Sequence, residues 1–190
     1  MLEESIGAAA MTSRYVIALI FVTAALPKLF ARLQFEQALS NYALLPERLV
    51  PPVAVWLPRL ELACGIALVF GIAVKPVAAI AGLVFVIFAV AVAVNLVRGR
   101  AIECGCFGSV APRRIGWGLV AGDVLLAAMA AAVALADPGV LAVASGGSSS
   151  SELSRAEGVA ALLLAGALVL HYLLVSAYIG LRRARVGRMA

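Results

Sequence analysis

The run PVAAIAGLVFVIFAVAVAVNLV, Pro76–Val97, carries no charge from end to end. A helix needs about 20 apolar residues to cross a hydrocarbon core, and this stretch supplies them. Lipid offers no partner for backbone N–H and C=O groups, so such a segment satisfies them internally as a helix. Its alanine, leucine and valine content also suits a helix better than the alternation of a barrel strand. Four further stretches of comparable length lie around it, at about 13–31, 53–74, 115–136 and 158–181. Of the 190 residues, 64% are hydrophobic and 13% charged, too much apolar surface for a soluble core of this size to hide. The fold class is therefore read as all-α and polytopic: a four-helix transmembrane bundle with a fifth, C-terminal transmembrane helix.

The segments between the spans complete the plan. Residues 1–12 read as a short N-terminal tail, and Glu3 and Glu4 stand where a secretory signal wants positive charge, so the first span reads as a retained helix. At 32–45, Phe35, Ala38, Leu39 and Tyr42 recur at helical spacing among Arg32, Gln34, Glu36, Gln37 and Asn41, the pattern of an amphipathic helix on the membrane surface. Pro46, Pro51 and Pro52 then turn the chain into the second span. A loop at 98–114 joins the third and fourth spans, and Gly82 with the many alanines permits close helix approach. Residues 137–157, rich in glycine and serine, read as a flexible linker, and 182–190 as a basic tail. The net charge of +5 comes from arginines beside span ends, which meet lipid headgroups. The partner so implied is the lipid bilayer of a plasma membrane, with no nucleic acid.

Charge inside the spans costs free energy. Arg59 and Glu61 in the second span cost about 5–6 kcal/mol on insertion, against about 4–6 kcal/mol returned by its leucine, isoleucine, valine and phenylalanine residues. Buried partners are needed, and Lys28 and Asp123 are the charges at hand. A polar lock inside the bundle is the simpler reading of the four, and a proton or substrate path the sharper one. Arg59 and Glu61, two apart, cannot share a helix face. Lys28, near the end of the first span, reads first as a side chain that snorkels to the headgroups, and second as an ion-pair partner in the interior. Cys64 reads as a small buried hydrophobe.

The chemistry concentrates in Ile102–Gly108, IECGCFG, where two of the three cysteines sit on either side of one glycine. Gly105 gives the backbone freedom to bring the sulfurs of Cys104 and Cys106 together, and the tight ring so closed favours ready reduction, the property of an exchange site. Arginines at 98, 100, 113 and 114 bracket the pair; they favour a thiolate, anchor the loop at the headgroups, or do both. A structural zinc site wants four ligands, and the chain offers only Cys64 and His171 beyond this pair, both within spans, so no metal is assigned. Redox exchange at Cys104 and Cys106 is the preferred reading.

The Glu103-Cys-Gly-Cys-Phe-Gly108 motif at the start of a span resembles the signature of the methylamine utilisation MauE family, among the DoxX-like membrane proteins. Softer matches accompany it: Leu-Pro-Lys-Leu closing the first span, Phe-x-x-Ala-Leu-x-x-Tyr-x-Leu-Leu-Pro in the surface helix, and Glu61 followed by Leu-Ala-Cys-Gly-Ile-Ala-Leu. Together they cover about 13–136. The resemblance implies a four-helix membrane protein of thiol redox, tied to maturation of the disulfide-rich small subunit of methylamine dehydrogenase. It implies Cys104 and Cys106 as the redox pair; Glu103, Gly105, Phe107 and Gly108 of the motif and the intramembrane charges Lys28, Arg59, Glu61 and Asp123 are read beside it as supporting residues. A membrane-anchored thioredoxin-like protein is the implied partner.

Two readings compete with this one: a small proton-coupled transporter using Lys28, Arg59, Glu61 and Asp123, and an assembly scaffold without chemistry. Orientation is divided as well. Five spans put the arginines of the surface segment, the cysteine loop and the tail on one side, against Arg14, Lys75 and Arg155, which places the cysteines in the cytoplasm. Disulfide formation in an exported subunit wants them outside. No second dithiol is present to carry electrons onward, so a quinone or a partner protein has to complete the circuit.

Overall fold

In the computed structural model, residues 2–102, 104 and 114–135 are described, and they are helical with short connections. The helices are α1 (Leu2–Phe30), α2 (Arg32–Tyr42), α3 (Val50–Phe70), α4 (Val74–Val97) and α5 (Trp117–Leu135). Four segments are long and apolar enough to cross a membrane: Ala9–Phe30, Glu47–Phe70, Val74–Val97 and Trp117–Leu135. The fifth transmembrane helix expected at 158–181, with its linker and tail, lies outside the described residues.

Helix ends explain where the boundaries fall. Thr23 closes its hydroxyl onto the Leu19 carbonyl at 2.7 Å, so a polar residue rides inside the apolar α1 without seeking water. α2 stops at Ala43, which takes the left-handed conformation (φ 47°) and returns its N–H to Ser40. One turn of 3-10 helix, Glu47–Leu49, leads into α3, whose prolines at 51 and 52 occupy the first turn, where a missing N–H leaves no bond unmade. α3 ends four residues before the hydropathy of the sequence suggests. Gly71 adopts φ 71°, the Ile72 N–H returns to the Ala67 carbonyl at 2.8 Å, and Ala73 adopts φ 46°, so a reversal is built within an unbroken apolar run. At the other terminus the stretch read as a tail is continuous with α1, which begins at Leu2.

α1 packs on α3 and α4 on α5, with further contacts of α1 with α5 and of α3 with α4. The core between them is made of Ile17, Ala18, Phe21, Leu68, Ala78, Ala81, Phe85, Ala130 and Val133, with Phe21 and Phe85 tilted against each other at 4.9 Å. Small residues set the spacing. A methyl group added at Gly65 would lie 2.8 Å from a Val22 methyl and 3.0 Å from the Ala18 carbonyl oxygen, so α1 and α3 approach to a distance that only glycine allows. At Gly82 the same addition would stand 3.4 Å from the Ala130 methyl, ordinary contact between α4 and α5. Outward, Leu83, Ile87 and Val90 of α4 and Val124 and Leu125 of α5 are exposed, an apolar face suited to lipid.

Gly65→Ala is expected to lower the stability of the detergent-solubilised protein by about 1–3 kcal/mol through overpacking. Gly122→Ala, where the added methyl meets nothing within 4 Å, is expected to cause no loss. Thermal unfolding followed by circular dichroism compares the two.

Candidate functional site

Lys28 is 2% exposed and Glu61 1%, and the Lys28 ammonium donates to both carboxylate oxygens of Glu61, at 2.7 and 2.8 Å. The snorkelling reading of Lys28 is therefore corrected. Its helix α1 runs beside α3, and a short bidentate reach to Glu61 outcompetes a stretch to the headgroups because it neutralises both charges inside the bundle. The rings of Phe35 from α2 and Phe88 from α4 flank the ammonium at 5.2 and 5.4 Å.

The expected set of four interior charges does not gather. Arg59 lies on the exposed face of α3, where it donates to the Val55 carbonyl and stacks over Trp56 at 5.9 Å. Two positions from Glu61 on a helix, it faces away, as the spacing requires. Asp123 of α5 is half-buried and makes no salt bridge among the described residues, yet it lies within electrostatic reach of Lys28, so three of the four charges do share the interior. Sequence reasoning missed Arg14, placed among the flanking charges but 0% exposed within α1. Its guanidinium covers the Tyr15 ring at 4.6 Å and donates to the Tyr15 hydroxyl at 2.8 Å. An aromatic neighbour in sequence is the one local sign that such a residue can stay inside.

At the far end of α4 the chain is folded onto Cys104. Asn95, buried, donates to the Ala91 carbonyl at 3.0 Å, and Arg100 donates to the Asn95 side-chain oxygen at 3.3 Å and to the Tyr42 carbonyl at 3.1 Å. Arg100 thus ties the cysteine loop to α2. Tyr42 answers by donating its hydroxyl to the Cys104 carbonyl at 3.2 Å. Burial pushes the Tyr42 phenol up to about 12, with the charge of Asp123 adding to the effect, so it is a protonated donor at any physiological pH. The Ile115 N–H bonds the Ile102 carbonyl at 3.0 Å and closes the loop at its base.

Cys104 itself is 8% exposed, packed in an apolar cluster with Val92 and Ile115 against Tyr42, Leu96 and Ile102. It is disulfide-bonded, whereas Cys64 in the core is a free thiol. Glu103, Gly105, Cys106, Phe107 and Gly108 lie outside the described residues. A cavity of about 360 Å³ connects the two features, since Lys28, Phe35, Tyr42, Phe88 and Cys104 all line it. The apolar face of α2 read from sequence is what roofs it, through Phe35, Leu39 and Tyr42.

Residues 6–136 match the family described as methylamine utilisation protein MauE. Among its relatives are proteins named methylamine utilization protein MauE. That of Paracoccus denitrificans is 35% identical over 173 residues, 90% of this chain and 88% of its own. That of Methylorubrum extorquens is 36% identical over 158 residues, 83% and 84% of the two chains. That of Methylophilus methylotrophus is 44% identical over 98 residues, 51% and 52%. A match of 173 residues extends well past residue 136, so likeness to the Paracoccus protein reaches into the C-terminal part of the chain. No solved structure matches this one.

Lys28→Met is expected to lower stability by about 3–5 kcal/mol because it strands a buried carboxylate, and Glu61→Gln by a comparable amount. The double variant Lys28→Met with Glu61→Leu is expected to recover most of that loss. Arg59→Gln, on the exposed face, is expected to change stability by less than about 0.5 kcal/mol. Unfolding midpoints in one detergent measure all four.

Proposed function

The chain belongs to the methylamine utilisation protein MauE family, and from that premise we propose that it supports methylamine utilisation as a multi-pass membrane protein that exchanges disulfides through Cys104 and Cys106. The observation that carries this reading is the state of the cysteines. Cys104 is disulfide-bonded while Cys64 is free, and Cys106 is the remaining cysteine of the three, so we assign it as the partner of Cys104.

The roles divide by access. Cys104 is held in the apolar cluster under Tyr42, shielded from an incoming thiol, so we assign attack to the sulfur of Cys106. A thiolate of the partner bonds Cys106, the Cys104–Cys106 bond breaks, and Cys104 leaves as the thiol. The partner's second thiol then displaces Cys106 from the mixed disulfide. Two electrons and two protons pass from the partner to Cys104 and Cys106, and the partner gains its disulfide. A membrane-anchored thioredoxin-like protein, or a subunit with many disulfides to form, supplies such a dithiol. The Tyr42 and Arg100 bonds keep the loop in register through the cycle, because neither involves a sulfur atom.

The four charges favour a structural role over a transport path, since Arg59 lies on the exposed face of α3 and Lys28 is closed on Glu61. Mass-shift alkylation of membranes is expected to protect Cys104 and Cys106 together after mild oxidation and to release both after reduction, with Cys64 unchanged. Cys104→Ser and Cys106→Ser are each expected to abolish disulfide maturation in the partner while leaving the amount of membrane-inserted protein unaltered. Full alkylation of both cysteines in oxidant would reject disulfide exchange, and normal partner maturation in both serine variants would leave an assembly scaffold.

A further inference from the structure

The cavity beside Cys104 is more than a packing defect. At about 360 Å³ it falls within the roughly 300–1,000 Å³ typical of small-molecule sites. Its walls are almost entirely aliphatic and aromatic, yet a buried cation stands in them: Lys28 lines the cavity between Phe35 and Phe88. An ammonium has three protons to donate, and Glu61 takes two of the bonds, at 2.7 and 2.8 Å. The third suits an acceptor in the cavity. Tyr42 lines the same space; its hydroxyl donates to the Cys104 carbonyl and keeps lone pairs to accept with. The mouth is apolar as well, since Ile87 is 54% exposed, Leu44 38% and Leu45 36%. A ligand entering there comes from lipid.

A flat ring against the aromatic wall of Phe35 and Phe88, a carbonyl oxygen for Lys28, a lipid-soluble tail and a redox centre at the wall describe one class of molecule. We propose that this cavity binds an isoprenoid quinone, which reoxidises the Cys104–Cys106 dithiol. The proposal rests on the disulfide-exchange reading above. In the step, the two S–H bonds break and the S–S bond forms; two electrons and two protons go to the quinone, whose carbonyl oxygens become the hydroxyls of the quinol. The third cysteine, Cys64, is a lone buried thiol in the core, so the chain has no second dithiol to take those electrons. An acyl chain of a lipid would fill the same space but would have no use for a cation and no electrons to accept.

The test uses the full-length protein in nanodiscs, reduced, freed of reductant and kept anaerobic, with decylubiquinone as the probe. Quinone reduction is followed by absorbance and disulfide formation by mass-shift alkylation. One quinol is expected per disulfide formed. Ala91→Trp, which fills the cavity from α4, and Ile87→Trp, which blocks its exposed lip, are expected to slow quinol formation about tenfold or more, the factor lost with ~1.4 kcal/mol of binding. Both are expected to form the disulfide at the wild-type rate with diamide, a water-soluble thiol oxidant, which shows that they are folded. If wild type forms its disulfide with diamide but reduces no quinone, or if both tryptophan variants reduce quinone at the wild-type rate, the quinone site is wrong and disulfide exchange stands. If diamide closes no disulfide between Cys104 and Cys106 in wild type, both readings fall together.

Discussion

The Lys28–Glu61 pair is the contact on which the rest of the bundle depends. Neither residue is tolerable in lipid alone, and each sits in a mostly apolar helix. The hydrophobic effect cannot fix the register of such helices, because lipid is as good a solvent for their side chains as a neighbouring helix is. A bidentate ion pair at 2.7 and 2.8 Å can. It sets α1 against α3 in both rotation and height, at a level where Phe35 of α2 and Phe88 of α4 come down around the ammonium. Desolvation makes the pair a poor source of net stability and a strong source of specificity in this bundle.

From that fixed point the loop chemistry is positioned by backbone carbonyls. Helix α2 and the cysteine loop are joined twice, through Arg100 to the carbonyl of Tyr42 and through Tyr42 to the carbonyl of Cys104. Side chains from one segment thus hold the main chain of the other. Cys104 comes to rest in an apolar cluster at the end of α4, and the space left below it opens towards Lys28.

Much of this was legible in the sequence, because the signals were lengths and periods. Four spans, the helix α2 and its apolar stripe at Phe35, Leu39 and Tyr42 follow from composition and spacing. So does the opposite facing of Arg59 and Glu61, which is a matter of helical angle. What sequence could not supply were choices between partners. The fate of Lys28 turned on a distance of a few ångströms to another helix, which no local pattern encodes. The burial of Arg14 beside Tyr15 and the reversal at Gly71–Ala73 inside continuous hydrophobicity depended likewise on contacts across the bundle. Of the site, the motif IECGCFG was plain, and the cavity next to Cys104 was not, since a void is made by residues from four helices and two loops.

The seam of glycine and alanine between the helices has one more consequence. Gly65, where an added carbon would clash with α1, and the fully buried Ala18, Ala78, Ala81 and Ala130 lie where the helices meet, so there is little room for growth at these places. The outward leucines, isoleucines and valines answer only to the solubility of hydrocarbon in hydrocarbon and trade freely among themselves. Substitution is therefore expected to be cheap along its greasy exterior and costly at its smallest side chains, which carry no chemistry at all.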